Sequence, residues 1–315
     1  MKRIFAFGNI LIGLMIIAIT LIIIYLPNYN ILEFLNENLI FYVVFLLISG
    51  VLGLILNQKF ILYVSFGCAF MLTLFLKYNS NTDLKLPKPN NQPTLGLTHI
   101  NLSSVTSGNV LERMAKDKSN DVISFQEVTP DWDDILKEIF LDSFPFYFME
   151  EKLDYQGKAF FSKHRFIVQP DIPLNNNFAK YIILEKGKEK YHLISTYLTP
   201  PLNEKDKSVN EKELMDLTGK MIEIPNAAFV FGELNRVYWA KPIIQFRKKS
   251  LLMNSRRNVQ LSFKTSYNHI FYTGDMECYH FEDIFDDDNL SIGCRGLYQK
   301  KKLIVKSNRK GTNED

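Results

Sequence analysis

The chain has 315 residues, 47% of them hydrophobic, and 37 basic against 34 acidic residues leave a formal net charge of +3. This length exceeds that of one average domain, so we expect a membrane region followed by one soluble domain. The small net charge argues against sequence-independent nucleic-acid binding, which requires a densely basic surface. Two cysteines, Cys278 and Cys294, lie in the soluble part. We expect them to be unpaired thiols, with a bridge as the alternative, because spacing alone does not indicate that their Cα atoms approach.

Three apolar runs occupy the N-terminal region, 1–77, at 4–26, 39–56 and 60–76. A helix of about 20 apolar residues crosses the hydrocarbon core of a bilayer, so each run is predicted to be a transmembrane helix. A cleaved signal peptide is the alternative for the first run, but that run is too long and no small-residue cleavage site follows it. A re-entrant segment is the alternative for the third run, which is short and contains polar residues.

Basic residues indicate the orientation of these spans. Lys2 and Arg3 precede the first run, Lys59 lies between the second and the third, and no basic residue lies between the first and the second. The positive-inside rule therefore places the N-terminus in the cytoplasm. With three spans, the rest of the chain lies on the other side of the membrane. Residues 78–94 are polar and rich in proline and asparagine, which predicts a linker, and 306–315 form a polar tail.

Between 95 and 305, short apolar runs alternate with helical patterns. Strands interleaved with helices over about 210 residues predict a layered α/β domain. The predicted strands are 97–101, 122–125, 159–161, 191–198, 228–231 and 269–272, and the predicted helices are 109–118, 130–140 and 209–221.

Polar residues follow several of these strands within recognisable segments. Asn101 lies in THINLSS, Glu127 in DVISFQEVTP, Tyr197 in HLISTYLTPPL and Glu233 in FVFGELNRVYWA, and the segments GKAFFSKHRF and YNHIFYTG complete the series. The order and spacing of these six segments resemble the endonuclease/exonuclease/phosphatase superfamily, in particular bacterial members with N-terminal transmembrane helices. The resemblance implies an α/β fold, with transmembrane helices followed by a deoxyribonuclease I-like four-layer sandwich. It also implies a bacterial protein, and the three spans with their orientation then predict a multi-pass protein of the cytoplasmic membrane with the soluble domain outside the cytoplasm.

The resemblance also assigns roles to particular residues. Glu127 matches the metal-binding glutamate, and a carboxylate is a suitable ligand for Mg²⁺ or Mn²⁺. Asn101 matches the asparagine that supports the metal and the phosphate. Glu233 and Asn235 stand in GELN where the family has GDFN, so Glu233 takes the place of the aspartate that activates the attacking water. Tyr197 stands where membrane-anchored relatives have histidine, and a phenol can still hydrogen-bond a phosphate oxygen.

The terminal motif departs from the family pattern. Where the family has Ser-Asp-His, this chain has Ile292-Gly293-Cys294-Arg295, and Asn268 replaces the aspartate that orients the family's histidine. Losing a positioned acid/base group typically costs about 10²- to 10⁴-fold in rate. His269, beside Asn268, is expected to face away from the site, since neighbouring strand residues point to opposite faces.

These departures lead to two expectations. The first is a catalytically impaired domain that serves binding or assembly at the membrane, together with other membrane proteins. The alternative is an active Mg²⁺-dependent phosphodiesterase or phosphatase that uses Glu233, Asn235, Tyr197, Asn101 and Glu127, with Arg295 stabilising transition-state charge in place of the histidine. A phosphoester of a lipid or surface polymer is the expected substrate class, and nucleic acid is not favoured.

Overall fold

A computed structural model describes residues 2–25, 35–81, 86–175, 177–224, 226–257 and 267–301. Its first three helices are α1 (Lys2–Tyr25), α2 (Leu39–Ile55) and α3 (Lys59–Asn79). By length and composition, the segments Gly8–Tyr25 and Lys59–Asn79 are apolar enough to cross a membrane, whereas α2 is a shorter apolar helix. All three predicted runs are therefore helical. The end of the first predicted run, part of the predicted linker and the polar tail lie outside the described residues.

The described strands of the α/β domain form two sheets of six and seven strands. The first sheet has the order β12-β13-β1-β2-β4-β3, and the second has the order β10-β11-β9-β8-β7-β5, with β6 paired to β7. The bounds are β1 Thr94–Asn101, β2 Val122–Gln126, β3 Phe146–Glu150, β4 Lys158–Ser162, β5 Phe166–Val168, β6 Ile172–Leu174, β7 Asn177–Lys186, β8 Glu189–Ser195, β9 Ala228–Glu233, β10 Leu252–Asn254, β11 Asn268–Thr273, β12 Met276–Phe285 and β13 Ser291–Lys300.

The two sheets face each other across an apolar layer that includes Leu97, Phe160, Phe231 and Tyr298. The further helices are α4 (Asn109–Lys116), α5 (Asp133–Phe140), α6 (Glu204–Glu223) and α7 (Lys241–Lys249). Residues of α4 and α5 share a core with the first sheet, and residues of α6 and α7 share one with the second. The expected four-layer α/β sandwich is therefore confirmed.

The start of α6 and the end of β8 differ from the bounds predicted from the sequence. Helix α6 begins five residues before the expected position 209, because the side chain of Asn203 accepts a hydrogen bond from the backbone N–H of Asp206 and caps the helix. Its first turns are charged and show no apolar periodicity. Strand β8 ends at Ser195, so Tyr197 lies in the connection that follows the strand rather than within it.

Strands β1 and β2 are parallel neighbours in the first sheet, and β8 and β9 are parallel neighbours in the second. Because parallel strands end at the same edge of a sheet, the connections after β1, β2, β8 and β9 gather at one edge of the sandwich. We call it the carboxyl edge. The predicted site residues Asn101, Glu127, Tyr197, Glu233 and Asn235 all lie along it.

Helix α3 joins the α/β domain through direct contacts. It extends three residues beyond the expected end of the third run, and Asn79, Ser80 and Asn81 are buried. The side-chain amide of Asn81 donates to the carbonyl oxygen of Asn254 at 3.0 Å. The backbone N–H of Asn81 donates to the carbonyl oxygen of Arg256 at 2.8 Å. The predicted linker, 78–94, thus begins inside α3, and its first residues are bound to the domain.

Candidate active site at the carboxyl edge

Three side chains from both sheets meet at the carboxyl edge. Asn101 is the last residue of β1, Glu127 follows β2 directly, and Glu233 is the last residue of β9. The Asn101 side-chain amide donates to Glu127 Oε1 at 2.9 Å and also to Glu233 Oε2. Its Oδ1 accepts the backbone N–H of Ser103 at 3.0 Å, which holds the amide in this orientation. The structure therefore joins the three predicted residues into one cluster.

Backbone conformation and a glutamine position this cluster. Gln126 accepts the backbone N–H of Glu233 at 2.9 Å and donates to the carbonyl oxygen of Thr196 at 2.8 Å, so it links the ends of β2, β8 and β9. Gly232 has φ 138°, and a Cβ there would lie 1.8 Å from the carbonyl oxygen of Thr196. Only glycine permits this approach. Glu127 has φ 57°, a left-handed conformation that costs a non-glycine residue about 1–3 kcal/mol and is often found at functional sites.

The two carboxylates affect each other. Burial raises the pKa of Glu233, the hydrogen bond from Asn101 lowers it, and the negative charge of Glu127 raises it again, with a net upward shift. A cation placed between the two carboxylates would reverse the repulsion and lower the pKa of Glu233.

The donor set at this edge suits a hard divalent cation. It consists of two carboxylates that the Asn101 side chain bridges through its NH₂ group, and Mg²⁺ commonly binds proteins through one or two carboxylates while keeping several waters. The described part of the chain contains no group of three or more His, Cys, Asp or Glu side chains that could hold a metal ion. The residues thus fit a weakly coordinated Mg²⁺ or Mn²⁺ better than a zinc site, which usually has at least three protein ligands.

Tyr197 stands beside the carboxylates and is 7% exposed. Burial raises its pKa to about 12, a hydrogen bond with Asn235 opposes this shift, and the charges of Glu127 and Glu233 add to it. The phenol is therefore protonated at neutral pH and can donate a hydrogen bond. The ring of Tyr155 stacks on it with centroids 4.9 Å apart.

Asn235 is held in place by the same connection. It has φ 53°, a conformation that asparagine tolerates better than most residues, and its amide donates to the carbonyl oxygen of Leu198 at 2.7 Å. This bond ties the connection after β9 to the connection after β8, so Tyr197 and Asn235 are positioned together.

The structure does not bring Arg295 to this cluster. Its guanidinium group pairs with Asp117 at 2.7 Å and with Glu282 at 2.9 Å. Cys294, the preceding residue, is fully buried in the layer between the sheets, and burial raises the pKa of its thiol. Successive strand residues face opposite sides, so placing Cys294 inside directs Arg295 outward. The expected role of Arg295 in stabilising transition-state charge has no support in this geometry.

Cys278 and Cys294 are both buried and both free thiols. The expected absence of a disulfide between them agrees with the structure.

A buried histidine that the sequence patterns did not single out lies beneath the cluster. His99 precedes Asn101 by two residues on β1, so both side chains face the interior. In the antiparallel pairing of β1 with β13, His99 lies directly opposite Cys294. Burial lowers its pKa to about 3, and the side chains of Gln126 and Asn268 act in the opposite direction. The imidazole is neutral and sits among apolar residues, 5.8 Å from the ring of Phe231. The alternation of side-chain directions along β1 is the sequence signal that would have placed His99 on the same face as Asn101.

Asn268 and His269 lie as the strand pattern indicates. Asn268 is directly opposite Glu233 in the register of β11 and β9. His269 points the other way, and its Nε2 lies 2.7 Å from the carbonyl oxygen of Arg236, to which it can donate. Its ring stacks on Phe271, so it packs within the domain and does not face the carboxylates.

Comparisons with known proteins agree with this fold. Residues 100–283 match the model of the Endonuclease/Exonuclease/phosphatase family. A family protein from Bacteroides thetaiotaomicron is similar in structure, with 12% identity, 68% of this chain and 97% of that chain covered, and a TM-score of 0.53. A protein of this family from Beutenbergia cavernae has 12% identity and a TM-score of 0.53, with 66% of this chain and 72% of that chain covered. A mannosyl-6-phosphatase from B. thetaiotaomicron has 12% identity and a TM-score of 0.50, with 66% of this chain and 100% of that chain covered.

No curated protein matches the sequence. At 12% identity, the structural likeness shows the fold and not the activity. The family match covers more than half of the chain, including Asn101, Glu127 and Glu233. The chain therefore belongs to the endonuclease/exonuclease/phosphatase family.

Proposed function

We propose that this protein is a membrane-anchored family member that binds a phosphoester at the Asn101–Glu127–Glu233 cluster but is catalytically impaired, and that it serves binding or assembly at the membrane. The observation that carries the proposal is the burial of Cys294, which stands in the segment that resembles the family's Ser-Asp-His motif and lies opposite His99 between the sheets. No proton donor for a leaving group exists at that position. Loss of such a group typically costs about 10²- to 10⁴-fold in rate.

The retained residues support phosphoester binding. Mg²⁺ or Mn²⁺ held by Glu127, whose carboxylate Asn101 orients through a hydrogen bond, would neutralise charge on a phosphate. Tyr197 is protonated, so it can donate its hydroxyl hydrogen to a phosphate oxygen. The raised pKa of Glu233 makes its ionised form a stronger base, so the impairment is attributed to geometry: the extra methylene relative to aspartate displaces the carboxylate by about 1 Å, enough to lower a rate about 10²-fold.

Metal binding and hydrolysis test this proposal together. Calorimetry of the full chain in detergent micelles is expected to show Mn²⁺ binding that Glu127→Ala abolishes and Glu185→Ala retains. Glu185 is the matched control because it pairs with Lys190 on the β7–β8 hairpin, outside the cluster. Hydrolysis of bis(p-nitrophenyl) phosphate is expected to be at or near the uncatalysed rate. Rapid Mg²⁺-dependent hydrolysis that disappears in Glu127→Ala would refute the impairment.

An active phosphodiesterase or phosphatase is the second candidate, favoured by the intact hydrogen bonds between Asn101 and both carboxylates. The double substitution Asn268→Asp with Cys294→His separates the two. A degenerate site should gain activity from the restored pair, whereas a rewired active site should lose it. Enlarging the buried Cys294 costs about 1–3 kcal/mol of packing energy, so thermal unfolding of each variant must accompany the assay.

We further propose that α1, α2 and α3 cross the cytoplasmic membrane of a bacterium and that the α/β domain lies outside the cytoplasm. Two helices of sufficient length and apolar composition support this arrangement. A phosphoester of a lipid or surface polymer then suits the site better than chromosomal DNA. Protease digestion of intact spheroplasts tests the orientation. Cleavage of the α/β domain from outside is expected, and its protection would contradict the proposal.

A further inference from the structure

The α/β domain binds the end of α3 through direct contacts. Arg247 on α7 donates to the carbonyl oxygen of Asn79 at 2.7 Å, at the end of α3, where free carbonyl groups attract a cation. Lys77 donates to the carbonyl oxygen of Arg257 at 2.8 Å. Two cations thus bridge the helix end and the domain from opposite directions, which gives the domain a defined orientation relative to α3.

This contact includes the carboxyl edge itself. Trp239 lies four residues after Asn235, in the connection that follows β9, and its indole N–H donates to the carbonyl oxygen of Asn36 at 2.7 Å. Asn36 belongs to the short segment before α2, on the side of the helices where α3 ends. Its neighbour Glu37 acts together with Glu233 to raise the pKa of Tyr267, after the larger effect of burial.

Two exposed leucines lie on other connections of the same edge. Leu153, between β3 and β4, is 91% exposed, and Leu202, between β8 and α6, is 84% exposed. They are the two most exposed large apolar side chains among the described residues. The connections that carry them also carry Tyr155 and Tyr197, which border the carboxylates. A singly exposed leucine is common on protein surfaces, but these two lie on connections whose tyrosines stack on each other, at the edge that Trp239 joins to Asn36.

We propose that the carboxyl edge contacts the bilayer surface, with Leu153 and Leu202 inserted at the head-group level, and that the site takes a phosphate carried by a lipid of the same membrane. The bilayer is the occupant that fits both leucines, because the helices that enter it already contact this edge through Trp239. The inference rests on the proposed membrane anchoring and on phosphoester binding at Glu127. It adds that the site receives its ligand from the membrane plane.

Depth-dependent quenching tests the contact in the full chain reconstituted into lipid vesicles. Leu153→Cys and Leu202→Cys are each labelled with bimane, and quenching by brominated lipids is compared with two controls. Leu251→Cys is the matched negative control, since Leu251 is 81% exposed and precedes β10 at the opposite edge. Phe70→Cys on α3 is the positive control. The wild-type chain, whose three cysteines are buried, measures background labelling.

Quenching at 153, 202 and 70 but not at 251 is the expected result. Quenching at 70 alone would overturn the contact and leave the membrane anchoring intact. Absence of quenching at 70 would overturn the anchoring and the inference with it.

The nature of the ligand is tested separately in nanodiscs with Mn²⁺ present. Phosphatidate in the disc is expected to raise the unfolding temperature of the wild type but not of Glu127→Ala, whereas soluble glycerol 3-phosphate should have little effect. An equal shift with glycerol 3-phosphate would overturn the preference for a lipid-borne phosphate, and a shift that persists in Glu127→Ala would overturn binding at the site.

Discussion

A lysine buried inside the domain is expected to lower its stability at neutral pH. Lys158 on β4 is completely buried, and its ammonium group donates to the carbonyl oxygen of Phe178 at 2.7 Å. Burial, with a further contribution from the charge of Lys180, lowers its pKa from 10.5 to about 7. We predict that Lys158→Met, which removes the charge and keeps most of the volume, stabilises the protein at pH 6 and destabilises it near pH 10.

Lys158→Met changes the unfolding free energy in two opposite ways: it removes the penalty for burying a charge, and it removes a hydrogen bond. A difference of roughly 3.5 pKa units at about 1.36 kcal/mol each amounts to roughly 5 kcal/mol against the charged form in the folded state. Removing the ammonium group leaves the Phe178 carbonyl without its donor, which costs about 1–3 kcal/mol. The net gain of Lys158→Met at pH 6 is therefore about 2–4 kcal/mol.

The pH dependence follows from proton linkage. Because the folded pKa lies below the unfolded value, the unfolded chain binds more protons between about pH 7 and 10.5, so the wild type gains stability as pH rises through that window. Near pH 10 the penalty on Lys158 has mostly disappeared, and only the lost hydrogen bond distinguishes the variant. The difference in unfolding free energy should therefore change sign.

Thermal and urea unfolding of the full chain in detergent micelles, at pH 6 and pH 10, measures this difference. Lys188→Met is the matched control, since Lys188 is exposed in the turn between β7 and β8 and should change stability little at either pH. A Lys158→Met variant that loses the same stability at both pH values would refute the reasoning, because it would mean that the buried lysine carries no charge-dependent penalty.

Two further predictions concern buried charge and the site. Asp283→Asn should destabilise the protein by about 3–5 kcal/mol in the same unfolding assay, since it leaves Arg256 buried without the carboxylate that it contacts at 2.5 Å; a loss below 1 kcal/mol would contradict this. Asn101→Asp should lower the unfolding temperature without divalent cations, because it adds a carboxylate beside Glu127 and Glu233, and should enlarge the stabilisation by Mn²⁺. Equal Mn²⁺ shifts in variant and wild type would show that the cluster holds no cation.

The sequence was sufficient for the features that depend on local pattern. Apolar runs are confirmed as helices α1, α2 and α3, and alternating runs are confirmed as strands. The predicted roles of Glu127 and Asn101 as metal residues remain predictions, although their position at one edge follows from the parallel pairing of β1 and β2. Local order in the chain and membership of the family were therefore accessible without coordinates.

Only the tertiary structure decided which way particular side chains point and which distant segments meet. The outward direction of Arg295 depends on the face that Cys294 presents to the second sheet, and no short-range pattern specifies that face. The bridge from Asn101 to Glu233 spans 132 residues, and the bond from Trp239 to Asn36 spans 203. Such contacts arise when two sheets pack across a common core. Sequence alone thus indicated the three apolar helices, six of the thirteen described strands and the family, while packing between sheets and helices determined the composition of the site and its attachment to the N-terminal helices.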